Sequence, residues 1–260
     1  MGRFKYIVQS LLLLMVCSSA NAADLEREQR LKNQIIDYIL DGDPVMLTAD
    51  QHEFLSIYQP ADDADSTFGM VLMHGRGFHP NWPEVIYPLR TGLPADGWHT
   101  LSIQMPVLDN QATFYDYLDI IPQAFPRIQA AIDYLIAQGV NRIVLLAHSC
   151  SVHMSVAWLA QRGDPHVIGF IGVGMGSTDK GQPLPEPLPL DKLNVPVLDV
   201  RGEHDYPAVH GRAPERWRYL QKAGQAGSKQ LVVEDADHYF RDRGDVLLNV
   251  VEDWLRQFKP

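Results

Sequence analysis

From residue 68 onward the sequence alternates short apolar runs with stretches of helical periodicity, and few architectures accommodate that rhythm. Residues 69–73, 99–103, 142–147, 167–173, 195–200 and 230–233 read as buried strands. Between and after them, 83–93, 122–138, 152–161, 214–222 and 246–258 read as helices with one apolar face, such as Phe125, Ile128, Ile132, Leu135 and Ile136. Strands that lack a polar face must be covered on both sides, and a helix between two strands lays them parallel. The pattern predicts an α/β fold: a mostly parallel central sheet with helices on both faces and no large lid domain. Ahead of it, 24–40 carries Leu31, Ile35, Ile36, Ile39 and Leu40 at helical spacing, and 45–48 with 54–58 predicts an antiparallel hairpin. At 260 residues the chain is expected to form one domain, with 23–67 as an extension of a core spanning 68–260. Two irregular stretches, 105–121 with Phe114, Tyr115 and Tyr117 and the proline-rich 176–190, are expected to wall a pocket.

In parallel sheets of this kind ligands gather at the carboxyl ends of the strands, so the residues just beyond each strand carry the chemistry. The run Ile143-Val144-Leu145-Leu146-Ala147-His148-Ser149-Cys150-Ser151 is a strand, a sharp turn and a helix start. A serine at such a turn is lifted above the sheet, provided the residues two positions away are small; Ala147 and Ser151 stand where glycines are usual. Ser149 is the candidate nucleophile, with plain helix capping as the competing role. A serine hydroxyl needs a base to take its proton and a carboxylate to orient that base. Asp205 follows the strand at 195–200, with Asp199 and Glu203 as alternatives, and His238 follows the strand at 230–233, with His204 as the weaker alternative. The order serine, acid, histidine is the one such elbows use. The first core strand ends in His74-Gly75-Arg76-Gly77, and the backbone N–H groups of Arg76 and Cys150 are the candidate oxyanion donors. His74 itself is expected to pack and hydrogen-bond locally.

Ten histidines invite a metal, but none stands in a short ligand spacing such as H-E-x-x-H, so no catalytic metal is expected. No phosphate-binding glycine loop appears, and no cofactor is expected. The formal charge of −10 repels a phosphate backbone and excludes nucleic acid as a natural partner. A small-molecule or acyl-ester substrate fits these observations.

The first 22 residues read as an export signal: Arg3 and Lys5, an apolar stretch over 7–16, then Ala20-Asn21-Ala22 as a small-x-small cleavage site. The stretch falls short of the ~18 residues a membrane span requires, so no stable membrane insertion is expected after cleavage. Cleavage leaves Cys150 as the remaining cysteine, without a disulfide partner, and predicts a periplasmic or secreted location.

Together these motifs resemble the α/β-hydrolase superfamily over about 68–258. A closer likeness, to the DUF3530 family of exported bacterial proteins, runs through Leu25-Glu26-Arg27-Glu28, His52-Glu53-Phe54-Leu55-Ser56-Ile57-Tyr58, His79-Pro80-Asn81-Trp82-Pro83, Pro88-Leu89-Arg90, Gly97-Trp98-His99-Thr100-Leu101-Ser102-Ile103 and Pro196-Val197-Leu198-Asp199-Val200. The superfamily resemblance implies hydrolysis of an ester, thioester or amide through Ser149, His238 and Asp205, with a carboxylesterase first among such enzymes. A non-catalytic binding or envelope-assembly protein that keeps the fold is the alternative.

Overall fold

The computed structural model describes residues 22–259; most of the expected export signal lies outside them. In chain order the helices and strands are α1 (Leu25–Ile35), β1 (Asp43–Ala49), β2 (His52–Gln59), β3 (Phe68–Met73), α2 (Ile86–Gly92), β4 (His99–Ile103), α3 (Phe114–Leu118), α4 (Phe125–Ala137), β5 (Arg142–His148), α5 (Cys150–Gln161), β6 (Val167–Val173), β7 (Val197–His204), α6 (Pro207–Gly211), α7 (Ala213–Ala223), β8 (Lys229–Asp237) and α8 (Gly244–Leu255). The eight strands form one sheet in the order β1-β2-β4-β3-β5-β6-β7-β8. The hairpin β1–β2 is antiparallel and joins β4 antiparallel, while β4, β3, β5, β6, β7 and β8 run parallel. This is the mostly parallel sheet with an antiparallel amino-terminal hairpin that the apolar rhythm predicts.

The period-two alternation of the strands sorts their side chains into two cores. Val71, Met73, Ile143 and Leu145 pack with Ile128 and Ile132 of α4 and Val152 of α5 on one face. Met70, Leu72, Val144 and Leu146 pack with Ile86 and Leu89 of α2 and Leu247, Val251 and Trp254 of α8 on the other. Two cores on one sheet keep its central strands buried, and β5, in the middle, is clamped between β3 and β6. Whatever stands at the carboxyl end of β5 is therefore held by the most constrained part of the molecule.

Departures from the expected boundaries have local causes. The helix read over 83–93 begins at Ile86, which places Pro88 in its first turn, where a missing N–H costs no helical hydrogen bond. Strand β7 continues to His204 and β8 to Asp237, four residues past each expected end. Their outer parts are mostly polar, with Ala236 returning to the core between Asp235 and Asp237, so no apolar run announces them; Gly202 lets them approach, since a Cβ there would lie 2.3 Å from the Ala236 carbonyl oxygen. The stretch 105–121, read as irregular, contains α3, capped by Thr113 and Asp116. The short α6 also had no apolar pattern to mark it.

The largest departure concerns α1. Its apolar stripe does not face a core: Tyr38 and Leu40, just beyond the helix, are exposed, and its buried residue is Glu28. The helix begins at Asp24, whose carboxylate accepts the Arg27 N–H at 2.8 Å. It docks through polar contacts, chiefly the pair of hydrogen bonds from Arg127 to Glu28 at 2.9 and 3.0 Å. Among the described residues no helix is long and apolar enough to cross a membrane.

Candidate active site

Ser149 sits between the end of β5 and the start of α5, with φ 55° and ψ −116°. An L-residue adopts that conformation only when its surroundings enforce it. Here the Ser149 N–H donates to the Val173 carbonyl at 2.8 Å, and its own carbonyl accepts the Val152 N–H at 3.1 Å. The strand on one side and the helix on the other thus lock the turn and turn the hydroxyl outward. Asp205 follows β7, and His238 follows β8, both buried.

These three side chains meet. His238 Nδ1 donates to Asp205 Oδ1 at 2.6 Å, and its Nε2 lies 2.9 Å from Ser149 Oγ. A carboxylate can only accept, so the proton on Nδ1 leaves Nε2 as the acceptor for the serine hydroxyl. Asp205 Oδ1 also accepts the Tyr206 N–H at 2.7 Å, which fixes the carboxylate against rotation. The Tyr206 ring stacks on the imidazole, centroids 4.3 Å apart, and the His148 ring flanks it at 5.1 Å.

Cys150 begins α5, so its N–H is one that the helix cannot satisfy, and it faces the same opening as Ser149. The peptide between Gly75 and Arg76 is held by its carbonyl, which accepts from His74 Nδ1 at 2.8 Å and from the Phe78 N–H at 3.3 Å. In a trans peptide the N–H points opposite to the C=O, so this anchoring also sets the direction of the Arg76 N–H. His74 Nε2 accepts the Met105 N–H at 2.9 Å; burial lowers its pKa to about 3 and keeps it a neutral strut. The Arg76 guanidinium forms a two-pronged pair with Asp179 at 2.6 and 2.8 Å, which raises the Arg76 pKa and lowers that of Asp179.

A cavity of about 670 Å³ opens over Ser149 and His238, with Phe78, Phe114, Tyr206 and Tyr239 among its walls. Of the three aromatic residues expected to line it, Phe114 does. Tyr117 turns into the core, where its hydroxyl accepts the Leu108 N–H, and Tyr115 donates to the Pro183 carbonyl at 3.0 Å.

Residues 16–118 match a family described as a protein of unknown function, DUF3530. No curated protein matches the chain. Solved structures do. A dienelactone hydrolase from Anabaena variabilis is 17% identical with a TM-score of 0.63, covering 83% of this chain and 96% of its own. An α/β serine hydrolase homologue from Coxiella burnetii is 14% identical with a TM-score of 0.60, covering 83% and 98%. An esterase from Pyrococcus furiosus is 11% identical with a TM-score of 0.64, covering 86% and 93%. The chain has the α/β-hydrolase fold.

Within this α/β-hydrolase fold the two elbow positions that are not glycine are accommodated in different ways. Ala147 is fully buried, in register between Met73 of β3 and Gly172 of β6, where a side chain no larger than a methyl group stands. Ser151 turns its hydroxyl to the His74 carbonyl, tying α5 to the loop of the candidate oxyanion donor. Gly174, which sequence reasoning missed, follows β6 with φ +64°; a Cβ there would lie 2.6 Å from His238 Cε1 and 2.9 Å from Nδ1. The tight packing of imidazole on bare backbone gave no sequence signal beyond the glycines of Gly172-Val173-Gly174-Met175-Gly176.

The alternative acids and base stand elsewhere. Asp199 is buried in β7 and receives Arg216 Nε at 2.8 Å and Gln230 Nε2 at 2.7 Å, so it serves the core. Glu203 accepts the Asp235 N–H at 3.1 Å on the exposed outer part of the sheet. His204 is exposed beside it. Glu203, His204 and Asp235 carry ligand-type atoms within 4.8 Å of one another, but the Arg243 guanidinium, 3.6 Å from Asp235, shares that corner.

Burial lowers the pKa of His148 to about 3 and that of His153 to about 4, as for His74. An unfolded histidine titrates near ~6.5, so below that pH the unfolded chain binds protons that the folded chain refuses. Stability is therefore expected to fall as the pH drops from about 6.5 towards 4, by ~1.4 kcal/mol per pH unit for each such histidine. Urea unfolding at pH 7 and pH 5 measures this, with a shallower fall in His153→Gln. An identical midpoint at both pH values contradicts it.

Proposed function

We propose that the chain is an exported serine hydrolase of carboxylesterase type, cleaving an ester, thioester or amide through an acyl-enzyme. The observation that carries this is the continuous hydrogen-bonded path from Ser149 Oγ through the His238 imidazole to Asp205, at 2.9 and 2.6 Å. Ser149 Oγ attacks the substrate carbonyl carbon as its proton passes to His238 Nε2. Asp205 stabilises the imidazolium, and the carbonyl oxygen, now negative, is received by the N–H groups of Cys150 and Arg76. Collapse breaks the bond to the leaving group, which departs with the proton from His238. Water then repeats the sequence on the acyl-serine and restores the hydroxyl. The Cys150 thiol takes no part: burial pushes its pKa up to about 12, so it stays protonated.

Support for this chemistry is the side-chain geometry; the similar structures, 11% to 17% identical, are hydrolases by name and stand as background. Short p-nitrophenyl esters are the first substrates to offer, and a fluorophosphonate should add to Ser149, read by intact mass and peptide mapping. A folded sample with neither turnover nor adduct removes the proposal. Identical ligand stabilisation of that sample and of Ser149→Ala would then favour the binding or envelope-assembly role. Export through the 1–22 segment predicts a periplasmic or secreted product whose amino terminus is Ala23.

A further inference from the structure

The segment Leu25-Glu26-Arg27-Glu28 lies on α1, far from Ser149 in sequence and outside both apolar cores. Glu28 explains how the helix is attached, through its buried pair with Arg127. Arg27 does something different. Its Nη2 donates to the Gly77 carbonyl at 3.1 Å, and its Nη1 donates to the Leu108 carbonyl. Gly77 adopts φ +75°, and a Cβ there would lie 3.2 Å from Arg27 Nη2, so the loop turns tightly against the guanidinium.

Gly77 directly follows Arg76, whose N–H is the candidate oxyanion donor outside the elbow. Upstream, that donor peptide is fixed through the Gly75 carbonyl, and the Arg76 side chain is fixed by Asp179. On the downstream side a side chain from α1 holds the loop to Leu108, which belongs to the segment following β4. A planar guanidinium can bridge two carbonyls at once, whereas an ammonium on a flexible stem satisfies one point without fixing the other.

We propose that Arg27 is a positioning residue for the oxyanion loop, bridging Gly77 and Leu108 so that the Arg76 N–H stays aimed at the carbonyl oxygen of the substrate. This rests on Ser149 acting as the nucleophile. An N–H displaced from its place stabilises the tetrahedral intermediate poorly but leaves the apolar walls that bind the ground state untouched. The loss therefore falls on kcat, with KM little changed.

The test compares Arg27→Gln, Arg27→Lys and Glu28→Gln in the exported full chain, with a p-nitrophenyl ester as substrate and an aryl trifluoromethyl ketone as inhibitor. The ketone is bound as a tetrahedral adduct and reads the oxyanion site directly. Arg27→Gln is expected to lower kcat by ~10–100-fold, somewhat less than outright loss of a donor, and to weaken the ketone by a similar factor. Arg27→Lys is expected to fall between it and wild type, and keeps the comparison usable should the glutamine variant fail to fold. Glu28→Gln is expected to lower the melting temperature while kcat stays within about twofold. Wild-type kcat in the folded Arg27 variants overturns the inference and leaves the hydrolase reading intact, as does an equal fall of kcat in Glu28→Gln, which would make helix attachment the cause. A wild-type protein with no turnover and no fluorophosphonate adduct overturns the hydrolase reading, and this inference with it.

Discussion

Replacing Ser149 with alanine is expected to reduce ester turnover by ~10⁴-fold or more and to abolish fluorophosphonate labelling, with the fold intact. The magnitude follows from what the hydroxyl does in the proposed mechanism. It forms the bond to carbon, and neither Cys150, held as a buried thiol, nor any neighbour in the elbow can take its place. Whatever activity remains comes from oxyanion donors acting on attack by water. The fold should survive because the strained turn is imposed by backbone contacts to Val173 and Val152, and the side chain supplies none of them. Circular dichroism and a melting curve close to wild type, measured beside the kinetics, separate loss of the nucleophile from loss of structure. A variant that hydrolyses p-nitrophenyl esters at more than one tenth of the wild-type rate would end the case for Ser149.

A single methyl group on Gly174 should be nearly as damaging, although this residue has no chemistry of its own. The added Cβ would lie 2.6 Å from His238 Cε1, well inside contact distance, and the imidazole must move or the β6 end must bend. Either response spoils the line from Asp205 Oδ1 through Nδ1 and Nε2 to Ser149 Oγ. A displacement of about 1 Å in such an array costs ~10²-fold in rate, and alanine at φ +64° adds ~1–2 kcal/mol of backbone strain to the folded state. Gly174→Ala is thus expected to lose ~10²–10³-fold in kcat, with the rate of fluorophosphonate labelling falling in parallel, because that reaction uses the same imidazole. Gly224 is the control: it also has a positive φ, +69°, but a Cβ there meets nothing within 4 Å, and it lies at the end of α7 outside the cavity lining. Gly224→Ala should share the backbone strain and keep its rate. A Gly174→Ala protein with wild-type labelling kinetics would show that the contact is relieved without disturbing His238.

Much of this molecule could be read from its sequence because burial leaves a local mark. Strands β4 and β6 coincide with their expected limits, since every residue of an interior strand must suit an apolar or internally bonded position. The elbow was legible for a related reason: a small-x-Ser-x-small pattern between a buried strand and a helix has few other uses. The outer parts of β7 and β8 were not legible, because there the strands keep their backbone pairing while most of their side chains are polar, Ala236 excepted. Nor was the role of α1. Its apolar spacing marked a helix but not its docking, which Glu28 and Arg27 provide through a carboxylate and a guanidinium whose partners lie 50 to 100 positions away.

By itself the sequence determined the layered α/β architecture and nominated Ser149, Asp205 and His238, since periodicity and strand-end position are properties of consecutive residues. Only the tertiary structure decided that Asp205 rather than Asp199 or Glu203 faces His238, because that choice depends on which carboxylate the core has already claimed: Arg216 and Gln230 bind Asp199, and Glu203 lies out on the exposed sheet edge. It likewise decided that Gly174 must have no side chain and that Arg27 reaches Gly77. Such close approaches join residues remote along the chain, and hydrogen bonding and steric exclusion act on distance in space, which no run of neighbouring letters encodes.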